Sequence, residues 1–224
     1  MITRRCSVTR SLIPLQFGEV SSPPLIFFDV LGTLVQNPFY LEIPAFFGLT
    51  LSELRRCGDK TSWLEFERGE ITEAEYLRRM FADERRFDGG AFLTEVKRAY
   101  RWIDGMEPIL AELQTEGAEM HILSNYPVWY RDIEETLELS RYIPWTFVSC
   151  LTRVRKPSPE AFLSAAAAVG REPSECLLID DMQENCAGAR GVGMQSIWFR
   201  GSADLRQALW YRGFLSKIVT PVAG

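Results

Sequence analysis

The sequence lacks the features of membrane proteins, nucleic-acid-binding proteins and disulfide-stabilised proteins. No apolar run approaches the roughly 20 residues that a membrane-spanning helix needs. The 25 Lys and Arg residues do not outnumber the 30 Asp and Glu residues, and the net charge of -5 predicts neither a nucleic-acid partner nor an anionic membrane surface. The cysteines have neither metal-ligand nor disulfide spacing, which is typical of a reducing compartment; they are Cys6, Cys57, Cys150, Cys176 and Cys186.

The composition is that of an ordinary globular protein with an unusual amino terminus. Of the 224 residues, 46 % are hydrophobic and 25 % are charged, which predicts one domain with a sizeable insertion. Residues 1–24 form a basic tail that includes Arg4, Arg5 and Arg10 and no acidic residue before Glu19. Organelle transit peptides are likewise rich in arginine and poor in acids. We therefore predict targeting to an organelle; the alternative is a cytoplasmic protein with a basic tail.

A buried strand that ends on a carboxylate is the most informative stretch of the chain. Leu25-Ile26-Phe27-Phe28 follows two prolines and is apolar throughout, as in a parallel strand that is covered on both faces. Asp29 comes next, and Gly32 marks a turn. Parallel α/β sheets carry their chemistry at the carboxyl ends of their strands, so Asp29 is the first candidate catalytic residue. An acid at this place can also simply cap the following turn.

The pattern beyond this strand divides the chain into a helical insertion and an α/β core. Residues 37–103 are rich in aromatic and charged residues, contain no convincing strand, and include helix starts near residues 50 and 72. Beyond residue 104, predicted strands at 120–123, 145–149, 176–179 and 195–199 alternate with helices. This alternation predicts a doubly wound, Rossmann-like parallel sheet made by residues 25–36 and 104–224, with an all-helical cap inserted after the first strand.

Polar side chains collect at the predicted carboxyl ends of these strands. They are Asp29, Ser124, Lys156, Asp180 and Asp181. Each alone has an ordinary explanation, such as a helix cap or a solvated amine. Together they supply a carboxylate that can attack, a hydroxyl and an ammonium that can bind anionic oxygens, and two carboxylates that can hold Mg²⁺. The set predicts a Mg²⁺-dependent reaction at a small phosphorylated metabolite.

The same residues resemble the motifs of the haloacid dehalogenase (HAD) superfamily of aspartate-nucleophile hydrolases. Its four motifs are matched in order by Asp29-Val30-Leu31-Gly32-Thr33-Leu34, by Ser124, by Lys156-Pro157, and by Leu178-Ile179-Asp180-Asp181 with Asn185. The combination is specific, whereas any single motif would be weak. The resemblance covers roughly residues 25–200 and places the helical insertion where this superfamily has its cap.

The resemblance implies a role for each matched residue. Asp29 would be the nucleophile and would bind Mg²⁺ together with the Leu31 carbonyl group and Asp180. The residues implied at the phosphate are Ser124, Asn125, Lys156 and Thr33. Asp181 and Asn185 would support the metal site.

One position departs from the pattern of phosphatases in this superfamily. They carry a second Asp two residues after the nucleophile, which protonates the leaving oxygen, whereas this chain has Leu31. General acid–base catalysis is typically worth ~10²- to 10⁴-fold in rate. Three interpretations stay open: a phosphatase with another proton source, a binding or scaffold protein with weak or lost activity, and a 2-haloacid dehalogenase, whose halide needs no proton. Cap carboxylates that could supply the proton are Glu65, Glu67 and Glu70.

Aromatic residues in the predicted cap and after the second motif refine the phosphatase interpretation. Flat rings around a phosphate site suit a planar aromatic phosphate ester, and the candidate contacts are Tyr40, Phe47, Trp63 and Tyr126. The segments that contain them resemble the plant chloroplast flavin mononucleotide hydrolase group, including the hydrophobic residue at position 31. This resemblance implies hydrolysis of flavin mononucleotide (FMN) to riboflavin, and it favours a plastid over a mitochondrion.

Overall fold

A five-stranded parallel sheet forms the centre of the computed structural model, which describes residues 25–216. β1 (Leu25–Phe28) lies in the middle of the sheet between β2 (Met120–Ser124) and β4 (Cys176–Asp180). β3 (Phe147–Val148) and β5 (Gln195–Trp198) form the edges. The predicted doubly wound parallel sheet is confirmed. The basic tail at residues 1–24, on which the predicted organelle targeting rests, lies outside the described residues.

The side chains of β1 explain its central position. Ile26 and Phe28 pack into the hydrophobic cluster on one face of the sheet, whereas Leu25 and Phe27 pack into the cluster on the other face. All four are at most 1 % exposed. A strand that is apolar on both faces must be covered on both, which the helical crossovers between parallel strands provide.

Five helices lie between β1 and residue 100. They are α1 (Glu42–Phe46), α2 (Leu51–Cys57), α3 (Ser62–Glu67), α4 (Glu73–Arg79) and α5 (Gly89–Ala99). α2 and α4 begin where the sequence predicts, because the side chains of Thr50 and Thr72 each accept a hydrogen bond from the backbone N–H three residues further on. The sequence does not predict α1 and α3, which have 5 and 6 residues and are too short for helical periodicity to be visible.

Six further helices belong to the remainder of the chain. They are α6 (Met106–Thr115), α7 (Tyr130–Leu137), α8 (Ser149–Thr152), α9 (Pro159–Ala168), α10 (Gln183–Gly191) and α11 (Ser202–Tyr211). Side chains of α9 and α10 pack on the sheet face that contains Phe27, and side chains of α6 and α11 pack on the face that contains Phe28. Within residues 25–216, no helix combines the length and the apolar character needed to cross a membrane.

β3 is shorter than the sequence predicts. The predicted strand spans residues 145–149, but only Phe147 and Val148 pair, with Leu123 and Ser124 of β2. An edge strand has a partner on one side only, and Ser149 already begins α8. Its hydroxyl group accepts the backbone N–H of Tyr126 at 3.0 Å, which turns the chain away from the sheet edge.

Helix α10 packs closely against the segment before α9 because Gly188 has no side chain. A Cβ at position 188 would lie 2.8 Å from the Pro157 carbonyl oxygen and 2.9 Å from Cε2 of Phe162. Gly191, at the end of the same helix, has no heavy atom within 4 Å of the position that a Cβ would take. The two glycines of α10 therefore differ in the space around them.

We expect Gly188→Ala to lower the free energy of unfolding by about 1–3 kcal/mol, because backbone and ring atoms in a packed interior must shift to admit the methyl group. Gly191→Ala is the matched control and should raise this free energy by up to about 1 kcal/mol, since alanine favours the helix. Chemical denaturation followed by circular dichroism measures both changes. Equal stability of the two variants would contradict the close packing of α10 at Gly188.

Candidate active site

A cavity of about 530 Å³ lies at the carboxyl ends of the central strands. Loops that leave the sheet contribute Asp29 after β1, Asn125 after β2 and Asp181 after β4, and the segment before α9 contributes Lys156. α2, α3 and α4 contribute the opposite wall, in which Trp63 is the largest side chain. The cavity thus combines charged groups from the sheet with aromatic and apolar groups from the helical insertion.

Lys156 is buried at the base of this site and makes three polar contacts. Its Nζ donates to Asp29 Oδ1 at 2.8 Å, to Asp180 Oδ2 at 2.6 Å and to the Leu123 carbonyl oxygen at 2.6 Å, and the residue is 1 % exposed. Burial alone would lower the pKa of Lys156, but the attraction of Asp180 and Asp29 outweighs it and raises the pKa above its usual value. The ammonium group is therefore charged whenever the protein is folded near neutral pH.

Asp29 shares this buried environment. Burial raises its pKa to about 7; Asp180 and Asp181 act in the same direction, and Lys156 opposes them. The other carboxylate oxygen, Oδ2, accepts no hydrogen bond from any of residues 25–216. One oxygen of Asp29 is thus held by an ammonium group, and the second is free to react or to bind a cation.

Asp180 and Asp181, predicted as metal ligand and as its support, have different surroundings. Both oxygens of Asp180 are engaged, by Lys156, by the backbone N–H of Met182 and by the Asn185 amide at 3.0 Å. Asp180 is fully buried and does not line the cavity, whereas Asp181 does. Burial and the neighbouring Asp180 raise the pKa of Asp181 to about 6. Asp180 therefore orients Lys156, and Asp181 is the acid of this pair that faces the cavity; the assignment of Asp180 as metal ligand and of Asp181 as its support stays a prediction.

The turn after Asp29 depends on glycine to bring Asp181 close. Gly32 has a φ of +86°, which L side chains rarely adopt. A Cβ at this position would also lie 2.3 Å from Asp181 Oδ2. The glycine of the first motif therefore provides both the backbone conformation and the space that the Asp181 carboxylate occupies.

The carboxylates form a group suited to a hard cation. Oxygen atoms from Asp29, Asp180 and Asp181 all lie within 4.8 Å of one another. Mg²⁺ is typically held by one or two carboxylates together with waters and substrate oxygens. Of the three, Asp29 and Asp181 line the cavity, as does Leu31, the predicted carbonyl ligand.

Three residues predicted at the phosphate lie elsewhere or are engaged. The Asn125 amide is bonded twice to the backbone of Lys156, at 2.7 and 2.8 Å, so that it positions the lysine. Thr33 is fully buried inside the turn after Asp29 and does not line the cavity; its hydroxyl group has no hydrogen-bond partner among residues 25–216. Ser124 is buried and lines a neighbouring space of about 10 Å³, which Lys156 also borders.

Three of the four aromatic residues predicted to contact the substrate line the cavity, and one does not. Tyr40, Trp63 and Tyr126 line the cavity, and the Tyr126 hydroxyl group is 2.6 Å from that of Tyr100. Phe47 does not line it. Its ring packs at 4.9–5.7 Å between centroids in a cluster inside the helical insertion, formed with Phe46, Phe81, Phe87 and Phe92. Phe47 is half-buried and packs against the core of the insertion.

Glu67 of the insertion and Arg155 of the core form an ion pair at the cavity. Arg155 Nη2 lies 3.0 Å from Glu67 Oε2, and both residues line the cavity. The sequence offers Glu67 only as one of three acidic residues on the same stretch, with nothing to distinguish it. Its partner is 88 positions away, so no local pattern reveals the pair. Arg55 and Tyr76 also line the cavity, and no pattern in the sequence identifies them as residues of the site.

Residues 23–193 match the family described as haloacid dehalogenase-like hydrolases. The flavin mononucleotide hydrolase 1 of Arabidopsis thaliana, which its name calls chloroplastic, is 40 % identical to this chain over 186 residues, covering 83 % of this chain and 76 % of that protein. The glyceraldehyde 3-phosphate phosphatase of Pyrococcus furiosus is 26 % identical over 122 residues, covering 54 % of this chain and 51 % of that protein.

Solved structures share the fold. A HAD family enzyme from Bacteroides thetaiotaomicron has a TM-score of 0.67 at 19 % identity and covers 84 % of this chain and 98 % of its own. A second structure of that enzyme, in complex with magnesium and inorganic phosphate, has a TM-score of 0.63 at 19 % identity and covers 80 % of this chain and 96 % of its own. The family match and the relative at 40 % identity show that this chain belongs to the haloacid dehalogenase-like hydrolase family.

Proposed function

We propose that this chain is a Mg²⁺-dependent phosphatase that hydrolyses FMN to riboflavin through an aspartyl-phosphate on Asp29. The observation that carries the proposal is the buried contact between Asp29 and Lys156, at a cavity that also holds Asp181 and several aromatic rings. The relative from Arabidopsis thaliana is named as an FMN hydrolase, which supports the choice of substrate. In this proposal, residues 37–103 act as the cap over the site.

The chemistry assigned to the chain's own residues follows from charge. Asp29 Oδ2 attacks phosphorus, and the bond from phosphorus to the leaving oxygen breaks; water then cleaves the aspartyl-phosphate and regenerates Asp29. The Lys156 ammonium group offsets the negative charge that the carboxylate and the phosphoryl oxygens bring together. Mg²⁺ held by Asp29, Asp181 and the Leu31 carbonyl group would supply further positive charge at the phosphoryl group.

The cavity supports a planar substrate of the size of FMN. Its volume of about 530 Å³ falls in the range of about 300–1,000 Å³ that is usual for small-molecule sites. Its aromatic lining consists of Phe39, Tyr40, Trp63, Tyr76 and Tyr126. Flat apolar rings suit the flavin ring system. The name of the Arabidopsis thaliana relative and the arginine-rich tail together support a location in the plastid.

The two other interpretations have less support. A haloacid dehalogenase of this family needs no metal, yet Asp29 and Asp181 converge at the cavity, and two of the relatives at hand are named as phosphate-ester hydrolases. A scaffold protein would not need a lysine buried between two carboxylates, because well-packed apolar side chains can hold strands together without the costly desolvation of these charges. Phosphate-ester hydrolysis uses both features.

We expect the protein to release phosphate from FMN and from p-nitrophenyl phosphate when Mg²⁺ is present, and Asp29→Asn to lower kcat on both by at least ~10³-fold, because the nucleophile is lost. Asp204→Asn, at an exposed position far along the chain, is the control and should keep full activity. Colorimetric phosphate assays measure the rates, and thermal unfolding should show that Asp29→Asn is folded. Turnover by Asp29→Asn would rule out Asp29 as the nucleophile. Phosphate release by the unaltered protein from p-nitrophenyl phosphate alone would rule out FMN as the substrate.

We expect Mg²⁺ to bind more tightly as the pH rises. Burial raises the pKa of Asp29 to about 7 and that of Asp181 to about 6, so protons occupy these carboxylates at low pH and must leave when the cation binds. Between about pH 5.5 and about pH 7, the Kd should fall by about tenfold per pH unit for each proton displaced, and it should level off above this range. Isothermal titration calorimetry with Mg²⁺ measures it.

Two variants test the assignment of the cation ligands in the same titration. Asp181→Asn should weaken Mg²⁺ binding and flatten its pH dependence, because one of the two competing carboxylates is gone. Asp204→Asn should bind as the unaltered protein does. A Kd that is independent of pH, or unaffected by Asp181→Asn, would contradict the role of these carboxylates.

A further inference from the structure

The proposed reaction lacks a proton source at the position where the chain would be expected to carry one. Leu31 lies two residues after Asp29, lines the cavity and cannot transfer a proton. FMN is the ester of a primary alcohol, and its leaving oxygen is strongly basic, so that protonation as the phosphorus–oxygen bond breaks is worth ~10²- to 10⁴-fold in rate. Another group at the cavity must therefore supply the proton.

Most of the other titratable groups at the cavity are unsuited to this task. The Asp59 carboxylate accepts backbone N–H groups at the start of α3, which lowers its pKa to about 2. Burial raises the pKa of the Tyr40 and Tyr76 phenols above the usual value, so both keep their protons near neutral pH and are poor proton donors. Glu184 and Lys60 are exposed to solvent. Asp181 belongs to the acidic group around Asp29.

Glu67 combines burial with a fixed orientation. It is 6 % exposed at the end of α3 and lines the cavity. Its Oε1 accepts the Trp63 indole N–H at 2.6 Å, and its Oε2 accepts Arg155 Nε–H at 3.1 Å. Its backbone carbonyl group accepts the Ser149 hydroxyl group at 2.6 Å, which ties the end of α3 to the core. These contacts hold the carboxyl group on the side of the cavity that the insertion forms.

The charges around Glu67 leave it able to hold and release a proton. Burial raises its pKa, while Arg155, the Trp63 N–H and the more distant Lys156 ammonium group lower it. The balance lies above the usual value for a glutamic acid, which brings the carboxyl group closer to neutral pH. The neighbouring Glu65 and Glu70 differ, because their pKa values are lowered by hydrogen bonds from Arg79 and Arg68.

We infer that Glu67 is the general acid and base of the reaction, in place of the residue missing at position 31. The inference rests on the proposed phosphatase function. In the first step, Asp29 Oδ2 forms a bond to phosphorus, the bond from phosphorus to the alcohol oxygen breaks, and the Glu67 carboxyl proton passes to that oxygen. In the second step, a water oxygen attacks phosphorus and its proton returns to Glu67. The electron pair of the broken Asp29–phosphorus bond stays on Asp29, so protons and electrons balance.

Two esters with different leaving groups test the inference. p-Nitrophenolate leaves without protonation, whereas the alkoxide of FMN does not. We expect Glu67→Gln, which keeps the size of the side chain, to lower kcat/KM on FMN by at least ~10²-fold and to change kcat/KM on p-nitrophenyl phosphate by less than about threefold. The ratio kcat/KM reports the first step, in which the leaving groups differ, whereas hydrolysis of the aspartyl-phosphate is common to both esters. Glu70→Gln is the matched control on the same stretch, at an exposed carboxylate, and should leave both rates unchanged.

A second variant separates proton transfer from a structural effect. Leu31→Asp in the Glu67→Gln background introduces a carboxyl group two residues after Asp29. The double variant should hydrolyse FMN at least ~10-fold faster than Glu67→Gln alone, without a matching gain on p-nitrophenyl phosphate. Equal losses of kcat/KM on both esters, or no loss on either, would overturn the role of Glu67 as the acid and leave the phosphatase proposal intact. Failure of the unaltered protein to hydrolyse either ester would overturn the proposed function itself.

Discussion

The burial of Lys156 between two carboxylates is the interaction on which the site and the centre of the sheet depend. Its ammonium group is removed from water and compensated by Asp29 after β1, Asp180 at the end of β4 and the Leu123 carbonyl group of β2. Loss of one partner of a buried ion pair typically costs about 3–5 kcal/mol, because a charge is left without compensation. The register of the three central strands and the geometry of the site therefore stabilise each other.

The segment between β3 and α9 connects this buried group with the helical insertion. Ser149 donates to the Glu67 carbonyl group, and Arg153 donates to the carbonyl groups of Arg68 and Gly69. The same segment then continues through Arg155, which pairs with the Glu67 side chain, to Lys156. Residues of the insertion consequently occupy defined positions at the cavity, although nearly ninety positions of sequence separate Glu67 from Lys156.

The adjacent acids Asp180 and Asp181 show how burial assigns different tasks to identical side chains. Asp180 completes β4 and meets three donors in the interior, so its charge is used to hold Lys156. Asp181 lies one residue further on, at the cavity, where the absence of a side chain at Gly32 leaves space for its carboxylate. A strand places successive side chains on opposite sides, and here that alternation separates the structural acid from the one available to a cation.

The sequence by itself determined the type of the central strands and their order along the chain, because a strand covered on both faces must be apolar. Leu25–Phe28 is apolar throughout, and residues 176–179 are apolar up to Asp180. It also determined that Asp29, Lys156 and the paired acids meet, since the carboxyl ends of parallel strands share one edge. Only the tertiary structure decided which acid faces the cavity, that Phe47 packs against other phenylalanines instead of lining the cavity, and that Glu67 is the acid of its stretch that lines it. These features depend on contacts between residues that are far apart in the chain. Local composition and periodicity do not reveal such contacts.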